Sequence, residues 1–177
     1  MKSEEIMDEK VLYTLNYGVY LISTKFQDKI NGQIANVVFQ VTSEPPKIAI
    51  CLNKKNLTHL MILNSGIFNV SILGRSCNMK FIGKFGFKSG RDINKFEDVN
   101  YIIGKNGAPI VKDFSVAYLE CEVEKMLDVG THSLFIGKVT EGNFLNEDTP
   151  LTYSYYHSEL KGKEPENAPT FVKKRKE

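Results

Sequence analysis

Two loops carry residues that could hold an anionic, planar ligand. The first, Asn53-Lys54-Lys55-Asn56-Leu57-Thr58, offers two ammonium groups, two amides and a hydroxyl where a helical apolar period begins. A helix start presents N–H groups without intrahelical partners and a partial positive charge, which together suit a phosphate. On spacing alone, a solvated loop that caps a helix explains the same residues equally well. The second loop runs from Gly32 through Ile34, Ala35, Asn36 and Val37 and on to Gln40, Val41 and Thr42. Its Asn36 and Gln40 amides could pair with the carbonyl and N–H edge of a heterocycle. Taken alone, an ordinary strand with outward polar residues is the better reading of this segment.

Other chemistry is scarce. The three histidines, His59, His132 and His157, form no H-x-x-x-H pair, so a metal site is not expected. Cys51, Cys77 and Cys121 are odd in number, far apart and without a CxxC pair. They give no disulfide framework, metal site or redox dithiol, and read as small buried hydrophobes. No G-x-G-x-x-G, P-loop or G-x-S-x-G motif is present. An enzyme this poor in acid-base groups borrows its chemistry from a cofactor.

The net charge of +2, from 23 Lys+Arg against 21 Asp+Glu, builds no one-sign field and implies no nucleic-acid partner. The basic run Lys173, Lys174, Arg175 and Lys176 reads as a solvated tail. The charged start, residues 1–10, has no signal-peptide pattern, and no apolar run reaches a membrane span. The expectation is a cytoplasmic protein that meets no membrane.

The elements that must position the two loops are mostly strands. Residues 6–15 read as a short leading helix, 17–24 as a strand, 28–32 as a turn, 33–42 as a second strand and 47–52 as a third. Asn56 stands as N-cap of a helix over 57–64 that Gly66 stops. A strand over 68–73, helices over 78–85 and 92–97, and long strands over 115–127 and 132–145 follow. Phe81, Phe85 and Phe87 read as core residues. No regular strand-helix-strand beat occurs, which favours a mainly β chain with short helices: an antiparallel, nearly closed barrel.

These residues carry a resemblance. Residues 31–59 (NGQIANVVFQVTSEPPKIAICLNKKNLTH), 81–96 (FIGKFGFKSGRDINKF) and 130–139 (GTHSLFIGKV) together resemble the flavin reductase-like, FMN-binding split-barrel family of Greek-key type. The ending over 151–171 (LTYSYYHSELKGKEPENAPTF) is similar to the flavin reductase module of high-molecular-weight rubredoxins and of ferric reductases from anaerobic prokaryotes. Longer relatives add an iron-binding rubredoxin extension with CxxC pairs, which this chain lacks.

The resemblance implies a barrel over 1–150 and an aromatic, charged extension over 151–177 packed on the barrel or a dimer partner. It implies a homodimer with non-covalent FMN near the interface, NAD(P)H as transient co-substrate, and a rubredoxin-like or flavodiiron redox partner. Asn53, Lys54, Asn56 and Thr58 would face the phosphate and ribityl chain. Ile34, Ala35, Asn36 and Val37 would lie along the flavin ring, with Gln40, Val41 and Thr42 beside it. His132 stands where a D-H-x-x-x-x-G pattern places a nicotinamide-pocket histidine, with Thr131 in the Asp position. The implied activity moves electrons from NAD(P)H through FMN to free flavin, ferric iron, oxygen or a redox protein. An electron relay reduced by another protein and a non-catalytic flavin-binding module are the rival readings.

Overall fold

The computed structural model describes residues 7–171; the basic run at 173–176 and the first residue of the expected leading helix lie outside them. A 3-10 turn over Glu9–Thr14 leads into β1 (Tyr20–Phe26), β2 (Lys29–Ala35), β3 (Val38–Ser43) and β4 (Pro46–Asn53). Then come α1 (Leu57–Ser65), β5 (Ile67–Leu73), α2 (Met79–Gly86), β6 (Tyr101–Ile103) and β7 (Pro109–Val111). The last elements are β8 (Ser115–Asp128), β9 (His132–Phe144) and α3 (Tyr153–Ser158).

Seven strands make one antiparallel sheet in the order β2-β1-β5-β8-β9-β4-β3. Its two edge strands, β2 and β3, are consecutive in the chain and joined by the corner Asn36-Val37, and β2 also touches β4 across the gap. The sheet curls until its edges nearly meet, with no ladder closing them among the described residues. This is the split barrel the sequence implied. Side chains alternate across the strands. Ile22, Ile50, Leu52, Phe68, Val70 and Phe135 fill one face, and Leu21, Leu73, Phe81, Ile82, Phe85 and Phe96 form a second core.

The structure corrects several boundaries. The expected strand over 33–42 is two strands, because Asn36 turns the corner and its carbonyl accepts the Val38 N–H at 3.2 Å. The first turn is Gln27-Asp28, not 28–32; Asn31 and Gly32 pair inside β2 with Thr24 and Ser23. Gly32 is small there because a Cβ would sit 3.2 Å from both the Ile22 carbonyl and the Leu21 side chain. Residues 92–97 form successive turns instead of a helix, held by Asn94 Oδ1, which accepts from the Phe96 N–H at 3.1 Å. Gly66 does stop α1, in the left-handed region at φ 71°, with its N–H on the Ile62 carbonyl.

Candidate functional site

The start of α1 forms one wall of a cleft. Asn56 is its N-cap, yet its side chain makes no cap hydrogen bond, so the first-turn N–H groups lack side-chain capping where Leu57 and Thr58 line the cleft. Asn53 is buried and its Oδ1 accepts the Lys55 N–H at 3.0 Å, closing a tight turn beside Lys55. Thr58 is buried and takes the Asn31 Nδ2–H on its Oγ1 at 2.9 Å. Lys54 goes elsewhere. Its backbone N–H donates to the Thr131 carbonyl, and its ammonium donates to Asp128 Oδ1 at 2.6 Å. That bond, with the Gly130 N–H, holds the Asp128 carboxyl below its usual range.

The turn after α2 supplies the facing wall, with Phe87, Lys88, Ser89, Gly90 and Arg91. Ser89 Oγ accepts the Arg91 N–H at 3.1 Å, and Arg91 Nη1 donates to the Lys55 carbonyl at 3.2 Å. Lys55, Lys88 and Arg91 thus line the same cleft as the uncapped helix start. The floor is the end of β2 and its corner: Gln33, Ile34, Ala35 and Asn36. Gln33 Oε1 is buried with no hydrogen-bond partner. Beneath it Lys95 is 5% exposed and donates to the Gly32 and Phe85 carbonyls at 2.9 and 3.0 Å. Burial pulls its ammonium down to about 8. Residues 163–169 close the top, and the enclosed volume is about 550 Å³.

Of the sequence-derived residues, Ile34, Ala35, Asn36, Asn53, Asn56 and Thr58 line this cleft; Val37, Gln40, Val41, Thr42, Lys54 and His132 do not. Gln40 and Thr42 lie exposed on β3, where Gln40 Nε2 donates to the Thr42 carbonyl and Thr42 Oγ1 to the Pro45 carbonyl. His132 opens β9 opposite Asn53. Its Nε2 lies 3.2 Å from the Asn167 carbonyl, which can only accept, so Nε2 carries the proton and Nδ1 accepts from Thr131 Oγ1 at 2.8 Å. Thr131 therefore fixes the tautomer opposite to the one an Asp would, since a carboxylate would accept a proton from Nδ1 where the Thr131 hydroxyl donates to it. His59 is structural: buried, 2.9 Å from Ser133 Oγ, edge-on to Phe135, and held below its ordinary pKa chiefly by burial. Phe81 and Phe85 are core residues, but Phe87 is half-exposed at the cleft wall, and Cys51 is only half-buried there.

Sequence reading missed Gln33, Lys88, Ser89, Arg91 and Lys95, and named Lys55 in its loop without assigning it to the ligand. The run Lys88-Ser89-Gly90-Arg91 carried the signal, two cations and a hydroxyl around a glycine.

An unpartnered acceptor, three cations, a helix start without a side-chain cap and the Phe87 ring, all lining one cleft, fit a planar heterocycle with an N–H edge and an anionic tail. The family model described as "Flavin reductase like domain" matches residues 12–162. The chain belongs to the flavin reductase-like family. It is 48% identical over 166 residues to the high molecular weight rubredoxin of Moorella thermoacetica, covering 94% of this chain and 72% of that protein. It is 44% identical over 165 residues to the ferric-chelate reductase (NAD(P)H) of Archaeoglobus fulgidus, covering 93% and 98%. The solved nitrilotriacetate monooxygenase component B of Mycobacterium thermoresistibile superposes with a TM-score of 0.71 at 27% identity, covering 80% of this chain and 76% of that one. The NADH:FAD oxidoreductase of Streptomyces globisporus, at 24% identity and a TM-score of 0.70 over 81% and 85% of the two chains, shares the fold.

Proposed function

We propose that this flavin reductase-like chain holds FMN non-covalently and passes electrons from NAD(P)H through it to an acceptor. The acceptor class is free flavin, ferric iron, oxygen or a rubredoxin-like or flavodiiron protein. The observation that carries the reading is the junction of Lys55, Lys88 and Arg91 with the uncapped α1 start, in one cleft with the orphaned Gln33 acceptor. The cations and helix N–H groups would take the phosphate, and Gln33 Oε1 would accept a ring N–H. Ile34, Ala35 and Asn36 would run along the ring. Bound FMN would supply hydride acceptance and one- or two-electron release.

The residues here orient and enclose. No acid or base is needed to receive a hydride. His132 keeps Nε2–H fixed by Thr131, and once freed from the Asn167 carbonyl that N–H could hold a nicotinamide carboxamide. Exposed Phe39 and Val41 on β3 and Met126, Leu127 and Val129 at the β8–β9 tip offer an apolar surface to a second copy, which supports a homodimer. No described helix is long and apolar enough to cross a membrane, and we place the protein in the cytoplasm.

Anaerobic titration of the FMN-loaded protein with NADH and with NADPH tests the reading. Bleaching of the oxidised-flavin absorbance by either nucleotide is the expected outcome. Colour that persists against both would leave an electron relay, and a protein that takes up no FMN would end the flavin reading altogether.

A further inference from the structure

Residues 163–171 leave α3 and cross to three other parts of the site. At their base, Tyr156 OH donates to the Lys163 carbonyl at 2.9 Å, and His157 Nδ1 lies 2.9 Å from the Gly162 carbonyl. Midway, Asn167 Nδ2 donates to Asn56 Oδ1 at 3.1 Å, while the Asn167 carbonyl takes the His132 proton. At the far end, Thr170 Oγ1 accepts from Asn36 Nδ2 at 2.9 Å and lies 3.3 Å from Tyr153 OH. The segment thus ties α3 to the α1 cap, the β9 start and the β2–β3 corner, and Glu164 to Pro169 line the cleft. Two consecutive turns shape it, the Ala168 N–H on the Pro165 carbonyl and the Phe171 N–H on the Ala168 carbonyl. Pro165 and Pro169 fix φ and reduce the chain entropy lost on closing.

We infer that residues 163–171 are a tethered cover that makes FMN a resident group of this chain, so that electrons leave the cleft while the flavin stays. This rests on the flavin reading above and goes beyond it, since that reading is silent on whether flavin is retained or exchanged. The tethers grip Asn36 and Asn56, two residues of the loops assigned to the cofactor, so a ligand on the floor is enclosed from the opposite side. Escape requires the Asn36–Thr170, Asn56–Asn167 and His132–Asn167 bonds to open together. Such joint opening is rarer than the opening of any one of them.

The test is FMN release, measured as recovery of free-flavin fluorescence after dilution of the loaded, oxidised protein. Asn167→Ala combined with Thr170→Val removes the side-chain tethers to Asn56 and Asn36 and should speed release about twenty-five-fold, roughly fivefold for each of these neutral hydrogen bonds. A second variant, Pro165→Gly with Pro169→Gly, loosens the cover without touching a tether and should also speed release. Hydrogen exchange at the Ala168 and Phe171 amides reads the cover directly and should quicken in both variants. Release as slow as in the parent, from variants whose amides do exchange faster, would overturn the cover while leaving the flavin reading intact. Unchanged exchange in both variants would show that neither the tethers nor the prolines hold the segment, and would overturn it too. A parent protein that binds no FMN would fail at the earlier step, and the cover would fall with it.

Discussion

Lys54 Nζ donates to Asp128 Oδ1 at 2.6 Å across the loop that joins β8 to β9, and this single contact divides the labour of two adjacent lysines. Lys54 pins that loop, and its neighbour Lys55 is left to the cleft. The structure therefore places Lys55, and not the Lys54 that the resemblance favoured, at the cleft wall. Lys55→Ala should weaken FMN binding about tenfold or more, the worth of one charge-assisted bond. Lys54→Ala should change it by less than about threefold, since its ion pair is exposed and weakly stabilising. Fluorescence titration of both variants checks this, and equal losses would return Lys54 to the phosphate.

Gln33 invites a test with opposite signs. A buried acceptor with no partner costs the empty protein free energy that a bound ring N–H would return. Gln33→Met, of similar length, should leave the flavin-free protein as stable or more stable by about 1 kcal/mol, while FMN affinity falls about fivefold. Thermal unfolding without FMN, beside an FMN titration, supplies both readings. A variant that loses stability and keeps full affinity would remove Gln33 from the ring edge.

The Lys95 ammonium is a clasp between β2 and α2. Lys95→Ala would orphan the Gly32 and Phe85 carbonyls, at a cost of about 1–3 kcal/mol for each carbonyl left unsatisfied. Denaturant unfolding should show that loss with the slope unchanged. A loss below about 0.5 kcal/mol would mean that water replaces the ammonium without penalty.

Alkaline stability should turn over near pH 9. Burial pushes the Cys77 and Cys121 thiols from 9.0 up to about 12, so the unfolded chain sheds these protons first. Their contribution is complete below pH 9 and is lost between 9 and 12. Lys95 acts with the opposite sign: burial lowers its pKa from 10.5 to about 8, so stability rises with pH between those values. Above pH 9 the buried thiols, with Cys51 raised in the same direction, outweigh one lysine, and stability should fall by about 1.4 kcal/mol per pH unit or more. Urea unfolding under reducing conditions from pH 8 to 11 gives the curve, and a rise continuing past pH 10 would contradict it.

Much of this architecture was legible because the strands announce themselves. The run 47–52 and the long pair around residues 128–131 are apolar, β-branched and bounded by turn residues, and they appear as β4, β8 and β9. The β2–β3 corner was not legible, since Asn36 sits in an otherwise unbroken β run and only curling the sheet requires the bend. The β6–β7 hairpin was hidden by strands three residues long. Residues 92–97 have helical spacing, but Lys95 is drawn into the core and Asn94 bonds locally, which favours turns. At the site, amides and lysines mark the loops, yet nothing in the sequence says which of Lys54 and Lys55 meets Asp128. That pairing depends on a residue about seventy positions away.

The central claim is a flavin held by its phosphate between the α1 start and the turn after α2, and riboflavin is its sharpest probe. Riboflavin has the same ring and ribityl chain as FMN and no phosphate. Calorimetric titration of the flavin-free protein with each ligand isolates that one group. Charge-assisted bonds from two or more of Lys55, Lys88 and Arg91 predict that FMN binds about a hundredfold tighter than riboflavin or better, with a gap that narrows at high salt. Equal affinity for the two ligands would contradict the account, because the cations that define the cleft would then have no anion to bind.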